Sequence, residues 1–279
     1  MPDDVEPAFS RLRHRRILDF LAARKEATVE ELTGLLDVSP ATVRRDMAEL
    51  AGLGLAKRLR GGLVPAGSLA REPSFREREI TRSAEKAAVG RAAARFVRDG
   101  DVVFLDGGTT TELLVPALAE RSGLTVLTCG INVAAALARH PSLKGIILGG
   151  EIHGDSQTIL GSLAEVLLDS FGIRCDVAFI AAAGVSARGG ATNRMIDRIP
   201  LKRRAMGMAG RSVLVADGSK LGVDAFARIA DIGEFSAVVT DESAPADELA
   251  ALRATDVEVV VAPSAPEESG PLRTARART

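Results

Sequence analysis

Residues 102–114 have the types and the spacing of a phosphate-binding turn. The apolar run that starts at Val102 stops at Asp106, two glycines and three threonines follow, and a helical pattern starts at Glu112. A strand, a glycine-rich turn and a helix N-terminus together present backbone N–H groups to an anion. The segment therefore predicts an anion site, which would serve an enzyme and a ligand-binding protein equally well.

Polar residues also follow other apolar runs, and ligands of open α/β sheets bind at the carboxyl ends of the strands. Glycines and hydroxyls in such loops allow close approach of the backbone, and Lys220 adds a cation that could neutralise a phosphate. The same residue types also serve as ordinary turns and caps. The candidate ligand-binding residues are Asp106, Gly107, Gly108, Thr109, Thr110, Thr128, Gly149, Gly150 and Lys220.

The elements that would position these residues follow from the pattern beyond residue 100, where short apolar runs alternate with helical stretches. This alternation predicts a Rossmann-like, mostly parallel α/β sheet covered by helices on both faces, in a domain over residues 84–262. The predicted strands are 102–105, 124–127, 145–148, 177–180, 212–216, 237–239 and 257–261, and the predicted helices are 110–119, 132–138, 161–170, 198–209 and 245–252.

Composition excludes several classes of protein. A chain of 279 residues favours two domains, and with no Trp, no Tyr and 9 Phe it lacks the stacking platforms of single-strand binders. The two cysteines form neither a disulfide framework nor a metal motif and the three histidines are dispersed, so we expect no metal and no cofactor. The acidic N-terminus and the lack of an apolar run of about 18 residues predict a cytoplasmic protein without a membrane partner.

Positive charge is concentrated near the N-terminus. Residues 11–60 hold eleven Lys and Arg against seven Asp and Glu, a net charge of +4 in a chain whose total is −1. The pattern there predicts a helix over 13–23, a second helix capped by Thr28 and Glu31, and a third that starts after Ser39. The short turn between the last two is typical of a helix-turn-helix, whose second helix enters the major groove of DNA.

A short strand over 55–59, a turn, and a return strand at 63–64 would add a basic wing to this motif. Outward residues at the start of the third helix would meet base edges, and the wing would reach the sugar-phosphate backbone or the minor groove. A pair of arginines on a helix is also common on solvated surfaces. The candidate DNA-binding residues are Ser39, Thr42, Arg44, Arg45, Lys57, Arg58, Arg60 and Gly61.

The stretch VSPATVRRDMAELAGLGLAKRLRGG, from Val38 to Gly62, resembles the signature of the DeoR-type bacterial repressors of sugar catabolism. Later blocks, among them DGDVVFLDGGTTT, ILGGE and LVADGSK, resemble the sensor domain of that family. The resemblance implies a winged helix-turn-helix over residues 10–65 and a sensor domain related in fold to ribose-5-phosphate isomerase. It also implies double-stranded operator DNA and a phosphorylated sugar or sugar-alcohol effector as partners, a homodimer or homotetramer, and release of DNA when the effector binds.

The remaining segments lie around these two domains. Residues 66–83 are rich in Pro, Ser and charge and are expected to form a linker, whose arginines we expect to be solvated except Arg78. Residues 263–279 are expected to be a disordered tail. Arg194 or Arg198 could pair with a second acidic group of a ligand, but exposed helix charge is the favoured interpretation.

An enzyme similar to the sugar-phosphate isomerases is the alternative. Such a reaction needs a positioned base, usually a carboxylate, near the substrate carbonyl. The related isomerases carry acidic residues in the loop that here reads AAAG at 181–184, and Asp106 and Asp217 also suit loop capping. We therefore expect no catalytic residues, and a ligand-responsive transcriptional repressor is the favoured interpretation.

Overall fold

The computed structural model describes residues 5–24, 26–52, 55–59, 62–65 and 73–263. The predicted DNA-binding residues Arg60 and Gly61 lie outside the described residues, as do most of the expected tail and the first part of the expected linker.

The N-terminal region is a winged helix. Its elements are α1 (Val5–Arg24), β1 (Ala27–Thr28), α2 (Val29–Leu36), α3 (Pro40–Gly52), β2 (Ala56–Leu59) and β3 (Gly62–Pro65), and the strands pair in the order β1-β3-β2. The capping box predicted for α2 is confirmed, because the Thr28 hydroxyl accepts the Glu31 N–H and the Glu31 carboxylate accepts the Thr28 N–H. Helix α3 starts where the Ser39 hydroxyl accepts the Thr42 N–H at 3.2 Å.

A core of its own holds the winged helix together. Val43, Met47 and Leu50 of α3 point inward as predicted, and they pack with Ile17 of α1 and Leu32 of α2, all of them buried. This cluster contains only side chains from before residue 65. The apolar spacing of α3 therefore leaves its opposite face for solvent or for a partner.

Two helices, α4 (Phe75–Ile80) and α5 (Ser83–Ala93), lead from the winged helix into the C-terminal domain. Helix α4 lies in the expected linker and was not predicted. It starts at a capping box in which the Ser74 hydroxyl accepts the Glu77 N–H and the Glu77 carboxylate accepts the Ser74 N–H. Between the helices, Arg82 has a left-handed backbone with φ of 52°, so the chain turns sharply from α4 into α5.

The C-terminal domain is built on a seven-stranded sheet. Its further elements are β4 (Val102–Leu105), α6 (Thr109–Glu112), α7 (Val115–Leu118), β5 (Thr125–Thr128), α8 (Ile131–Ala138), β6 (Lys144–Ile147), β7 (Glu151–His153), β8 (Thr158–Leu160), α9 (Ser162–Ser170), β9 (Cys175–Ala181), β10 (Gly184–Ser186), β11 (Gly190–Asn193), α10 (Ile199–Met208), β12 (Ala209–Val215), β13 (Ala227–Ala230), β14 (Ala237–Asp241), α11 (Ala246–Arg253) and β15 (Glu258–Ala262). The sheet has the order β15-β14-β12-β9-β4-β5-β6 and its strands pair in parallel, which confirms the predicted α/β architecture. The order of the strands reverses between β4 and β9, and this switch point is where open α/β sheets bind ligands.

Side chains of the strands alternate between two cores. Phe104 of β4 packs on the face covered by α9, α10 and α11, whereas its neighbours Val103 and Leu105 pack on the face covered by α5, α7 and α8. Burial on both faces explains why these strands read as short, continuous apolar runs. With both faces covered, the strand ends are what the sheet leaves open to a ligand.

Two smaller sheets were not predicted. Strands β7 and β8 form an antiparallel hairpin, and β10, β11 and β13 form an antiparallel sheet beside the main one. Their strands are three or four residues long, too short for a clear alternation. Within the described ranges, no helix combines the length and the apolar character needed to cross a bilayer.

Candidate functional sites

Asp106 ties the sheet together at the switch point. Its buried carboxylate accepts the N–H of Gly107 at 2.8 Å and the N–H of Ala181, the last residue of β9, at 3.0 Å. It also forms an ion pair with Lys202 of α10, whose ammonium donates to the Ala181 carbonyl at 2.9 Å. The Asp106 carboxylate is therefore used by the two strands and by α10, and its predicted contact with a ligand stays a prediction.

Two adjoining cavities open at this end of the sheet. Their volumes are about 590 and 470 Å³ when open solvent is included. Both are lined by Arg78 of α4, by Ala182 after β9 and by Lys220 after β12. We call the one that also reaches Lys86 the first cavity, and the one that reaches Arg194 the second cavity.

Electrostatics in the first cavity depend on Lys86 and Asp217. The Lys86 side chain is 4% exposed, and its ammonium donates to the carbonyls of Arg78 and Thr81. Burial lowers the pKa of Lys86 to about 8, although the Asp217 carboxylate opposes the shift. Burial alone would raise the pKa of Asp217, but Lys220 and Lys86 outweigh it and hold that pKa below its usual value.

Four of the predicted ligand-binding residues line the two cavities. Thr109 and Thr110 line the first cavity, Gly107 lines the second, and Lys220 lines both. A side chain at Gly107 would have no room, because its Cβ would lie 2.1 Å from the Thr158 methyl group. The helix that follows, α6, has only four residues, so the cations rather than a helix dipole dominate the potential here.

The other predicted residues serve the backbone nearby. The Gly108 carbonyl accepts the side-chain amide of Asn132 at 2.9 Å, and the fully buried Thr128 hydroxyl accepts the Gly130 N–H at 2.9 Å. Gly150 has φ of +153°, and a Cβ there would lie 2.4 Å from the Leu160 carbonyl of β8. At Gly149, just before it, an added Cβ would lie 3.6 Å from Leu167 Cδ1 and 3.9 Å from Leu163 Cδ2. Neither cavity is lined by Gly108, Thr128, Gly149 or Gly150.

Several residues that line the cavities were not among the predicted ligand-binding residues. The favoured interpretation of Arg194 and Arg198 as exposed charge is wrong, because both are half-buried and line the second cavity with Lys202. The sequence pattern does indicate that Lys86 and Lys202 are buried. Lys86 lies three residues before the buried Val89, and Lys202 is three residues from Ile199, so each cation falls on the apolar face of its helix.

The carboxylates at the cavities are engaged in structural contacts. The Glu77 carboxylate closes the capping box of α4, and the Asp217 carboxylate accepts the N–H and the hydroxyl of Ser219. The buried thiol of Cys129 lies 3.7 Å from an Asp106 oxygen, and burial together with that carboxylate raises its pKa to about 12. The carboxylates of Glu77 and Asp217 are thus held by structural hydrogen bonds, whereas a catalytic base must lie within hydrogen-bond reach of the proton that it abstracts.

The candidate DNA-binding residues that the structure describes lie on α3, on the turn before it and on β2. Arg44 and Arg45 are exposed near the start of α3, and Arg58 is exposed on β2. The Thr42 hydroxyl is half-buried and bonds the Ser39 hydroxyl at 2.9 Å, so these two residues shape the start of the helix. The side chain of Lys57 falls outside what the structure describes.

Helix α3 is braced against α1 through Asp46. Its carboxylate accepts two hydrogen bonds from the Arg13 guanidinium, at 2.7 and 3.0 Å. His14 Nε2 lies 3.4 Å from Asp46 Oδ1 and 3.3 Å from Glu49 Oε2. These three are metal-ligand types within 4.8 Å of one another, a grouping that the spacing in the sequence did not reveal. The Arg13 fork already occupies both oxygens of Asp46.

One arginine connects the winged helix to the cavity helices. Arg15 of α1 donates from Nη1 to the Ser83 hydroxyl at 2.6 Å and from Nη2 to Glu85 at 3.1 Å. Both acceptors lie in the first turn of α5, next to Lys86. The winged helix is therefore joined by a charged contact to α5, which contributes Lys86 to the wall of the first cavity.

Comparison with known families decides the identity of both domains. Residues 13–68 match the DeoR-like helix-turn-helix domain, and residues 81–242 match the DeoR C terminal sensor domain. The chain belongs to the DeoR family of transcriptional regulators. This DeoR-family chain accordingly combines a DNA-binding winged helix with a sensor domain, as the sequence predicted.

Full-length relatives of this DeoR-family chain are regulators. The HTH-type transcriptional repressor CsqR of Escherichia coli (strain K12) is 30% identical over 249 residues, which cover 89% of this chain and 94% of CsqR. The glycerol-3-phosphate regulon repressor of the same organism is 30% identical over 233 residues, 84% of this chain and 91% of the relative. The enzyme alternative is thereby set aside, and the DeoR-family chain is a DNA-binding transcriptional regulator.

Solved structures show only a distant likeness. The full-length sorbitol operon regulator SorC from Klebsiella pneumoniae is 11% identical with a TM-score of 0.40, over 86% of this chain and 97% of that one. Ribose 5-phosphate isomerase A from Methanocaldococcus jannaschii is 17% identical with a TM-score of 0.36, over 48% of this chain and 52% of that one. At such TM-scores neither likeness supports a functional assignment.

Proposed function

We propose that the protein represses a sugar or sugar-alcohol catabolic operon and releases its operator when a phosphorylated sugar or sugar alcohol fills the cavities. The observation that carries the proposal is the cationic pair of cavities at the switch point, with Lys86, Lys220 and Arg78 on its walls. Phosphate groups are among the ligand groups that lysine and arginine side chains typically bind. The name of the glycerol-3-phosphate regulon repressor, a relative, supports the same ligand class.

DNA recognition is assigned to α3 and the wing. Arg44 and Arg45 would enter the major groove, where arginine forms a bidentate pair with guanine or contacts phosphate, and Arg58 would contact the backbone beside it. One winged helix covers only one half-site. We therefore propose a homodimer or homotetramer, in which two-fold symmetry places two recognition helices on a repeated operator.

Coupling would run through α4, α5 and Arg15. An anion in the first cavity interacts with Lys86, whose ammonium otherwise holds the carbonyls of Arg78 and Thr81 across the turn between the two helices. A shift of the first turn of α5 moves Ser83 and Glu85, the partners of Arg15 in α1. The effector can change DNA affinity only to the extent that it binds the released arrangement more tightly.

The experiment is a fluorescence anisotropy titration on a double-stranded operator selected by repeated rounds of binding and amplification. Arg44→Ala and Arg45→Ala should each weaken operator binding by about 1–3 kcal/mol. Arg253→Ala, which removes an exposed arginine at the end of α11, is the matched control and should leave binding unchanged. A panel of sugar phosphates is then added to the complex. Release by none of its members would refute the proposed effector class.

A further inference from the structure

Strand β6 ends the seven-stranded sheet on one side and leaves an open edge. Among the described residues it pairs only with β5, and all four of its residues are exposed, whereas three of the four residues of β5 are buried. The N–H groups of Lys144 and Leu148 donate to carbonyls on the β5 side. By the alternation of a strand, the N–H and carbonyl groups of Gly145 and Ile147 therefore point away from the sheet, as a template for one more strand.

Apolar side chains occupy this open edge. Ile146 lies beside Leu127, which belongs to the core under α9, so Ile146 points to the α9 face of the sheet and is 40% exposed. Ile147 points to the opposite face and is also exposed. Natural sheets protect open edges with charged side chains, prolines or bulges. Here Lys144 is the one charged residue of β6, and two isoleucines remain uncovered.

Helix α9 extends the apolar surface beside the edge. Ala164 and Leu168 of this helix are buried in the core below it. Leu163 and Val166 point away from that core and are 57% and 54% exposed. Leu163 lies close to the end of β6, since a Cβ added at Gly149 would be 3.9 Å from its Cδ2. We call four exposed apolar side chains the edge surface: Ile146, Ile147, Leu163 and Val166.

Two charges lie beyond opposite ends of the edge surface. Lys144 is the first residue of β6 and Glu151 is the first of β7, both are exposed, and neither forms an ion pair with another residue that the structure describes. In an antiparallel pair of β6 strands with the two-fold axis at Ile146, Lys144 of one copy lies opposite Leu148 of the other, three residues before Glu151. The lysine of each copy thus approaches the glutamate of the other, so the charge pattern is complementary to itself.

The same register uses the open backbone. Gly145 of one copy lies opposite Ile147 of the other, and the groups that point outward from both can form the hydrogen-bonded pairs of an antiparallel ladder. Ile146 meets its own counterpart on the axis, with Cβ atoms about 4.5–5.5 Å apart. The axis is perpendicular to the sheet, so the two α9 helices lie on the same face and their Leu163 and Val166 side chains can cover one another.

We propose that β6 pairs with β6 of a second copy of this chain, so that the two sheets form one continuous sheet across a two-fold axis at Ile146. The inference rests on the proposed function, which calls for two winged helices on one operator, and it assigns the surface that joins the two chains. A strand of a different protein would also use the open backbone. The reciprocal contacts of Lys144 with Glu151 favour a second copy.

The test is analytical ultracentrifugation of the full chain in a dilution series. Ile146→Asp should halve the mass of the oligomer and raise the Kd of self-association at least about thirtyfold, because two carboxylates would face each other on the axis. Phe226→Asp is the matched control, since Phe226 is an exposed apolar residue outside the edge surface, and it should leave the Kd unchanged. Circular dichroism checks that both variants are folded.

Charge reversal tests the orientation of the two strands. Lys144→Glu and Glu151→Lys should each raise the Kd of self-association at least about fivefold, because like charges then meet at both ends of the interface. The double variant Lys144→Glu/Glu151→Lys restores opposite charges and should return the Kd to within about threefold of that of the unchanged protein. Misfolding cannot produce this recovery, since the double variant carries both changes.

A cross-link tests the position of the axis. Ile146→Cys places two thiols at a Cβ separation close to that of a disulfide, so oxidation by copper phenanthroline should yield a covalent dimer. Phe226→Cys should yield none, and the native thiols of Cys129 and Cys175 are buried. If the Ile146→Cys variant forms no covalent dimer, the proposed axis is refuted.

The outcomes separate this inference from the proposed function. If the chain sediments as a monomer at every concentration, a second copy does not cover the edge, and the proposed homo-oligomer fails too. If it is an oligomer whose Kd changes with none of these substitutions, the β6 interface is refuted while the proposed oligomer stands. Lack of operator binding or of release by sugar phosphates would refute the proposed function and leave the sedimentation result unchanged.

Discussion

The ion pair between Lys202 and Asp106 is buried at the switch point, and its removal should be costly. Lys202 is 4% exposed and Asp106 is 3% exposed, so solvent screens their attraction little. Lys202→Met keeps most of the side-chain volume but leaves the Asp106 carboxylate without its cation. Breaking a buried pair from one side typically costs about 3–5 kcal/mol. Two N–H donors, from Gly107 and Ala181, still stabilise the carboxylate, which places the expected loss near the lower value.

Thermal and chemical unfolding measure this loss. For a domain of this size, about 3 kcal/mol corresponds to a decrease in Tm of roughly 6–12 °C. Urea unfolding followed by circular dichroism should show a lower midpoint with an unchanged slope, since the surface exposed on unfolding is the same. Replacing Asp106 as well, with Asn, should recover at least about 1 kcal/mol relative to the sum of the single variants, because the uncompensated charge disappears.

Arg204→Met is the matched control. Arg204 lies on the same helix, two residues from Lys202, and also forms ion pairs, with Glu165 and Asp169, but on the surface. Exposed pairs contribute little to stability, so its midpoint should stay close to that of the unchanged protein. If Lys202→Met is no more destabilised than Arg204→Met, or if the double variant shows no recovery, then the pair does not act as a buried, unscreened contact and the reasoning is refuted.

Three further predictions concern titration, coupling and thiol reactivity. The pKa of Lys86 in the folded protein is about 8, and a bound anion favours the charged form of its ammonium. Effector affinity, measured by calorimetry from pH 7 to 10, should therefore fall as the pH rises through 8, and Lys86→Gln should remove that dependence. An unchanged pH profile in the variant would contradict the assignment to Lys86. Arg15→Ala should keep operator affinity but weaken the response to effector at least fivefold in the anisotropy assay. Arg24→Ala, on the same helix, is the control and should respond normally. Equal responses of the two variants would show that coupling does not pass through the contacts of Arg15. Burial raises the pKa of the Cys129 thiol to about 12 and that of the Cys175 thiol to about 11. Both thiols should resist a thiol reagent in the folded protein and react in urea. If the folded protein were modified as fast as the unfolded protein, both thiols would be accessible.

The local features of the fold were largely predictable. The caps at Thr28 and Ser39 involve only residues within one helical turn, so they can be predicted from a short stretch of sequence. The parallel strands are buried on both faces, so each of them is a short, continuous apolar run. A capping box at Ser74 and Glu77 was equally legible and marked the helix that the expected linker contains. The polar, charged composition of residues 66–83 nevertheless favoured a linker.

The composition of the site was less predictable because it depends on long-range convergence. Gly107 and Lys220 are brought to one place by strand order, which the alternating pattern implies, whereas Arg194 and Arg198 reach it through a small antiparallel sheet with no clear pattern. Thr128 has the same residue type and the same position after a strand as a ligand contact. Only the fold shows that its hydroxyl is used by the Gly130 backbone.

The position of the switch point also sets an order of events during synthesis. The bond from the Ala181 N–H to the Asp106 carboxylate spans 75 positions, and the walls of the cavities extend to Lys220, whereas the core of the winged helix is complete by residue 65. At about 5–20 residues per second, roughly 8–30 s separate the two stages on the ribosome. For that interval the nascent chain holds a finished DNA-binding module with no sensor attached. A message truncated in the middle of the gene would encode the winged helix without a complete sensor domain.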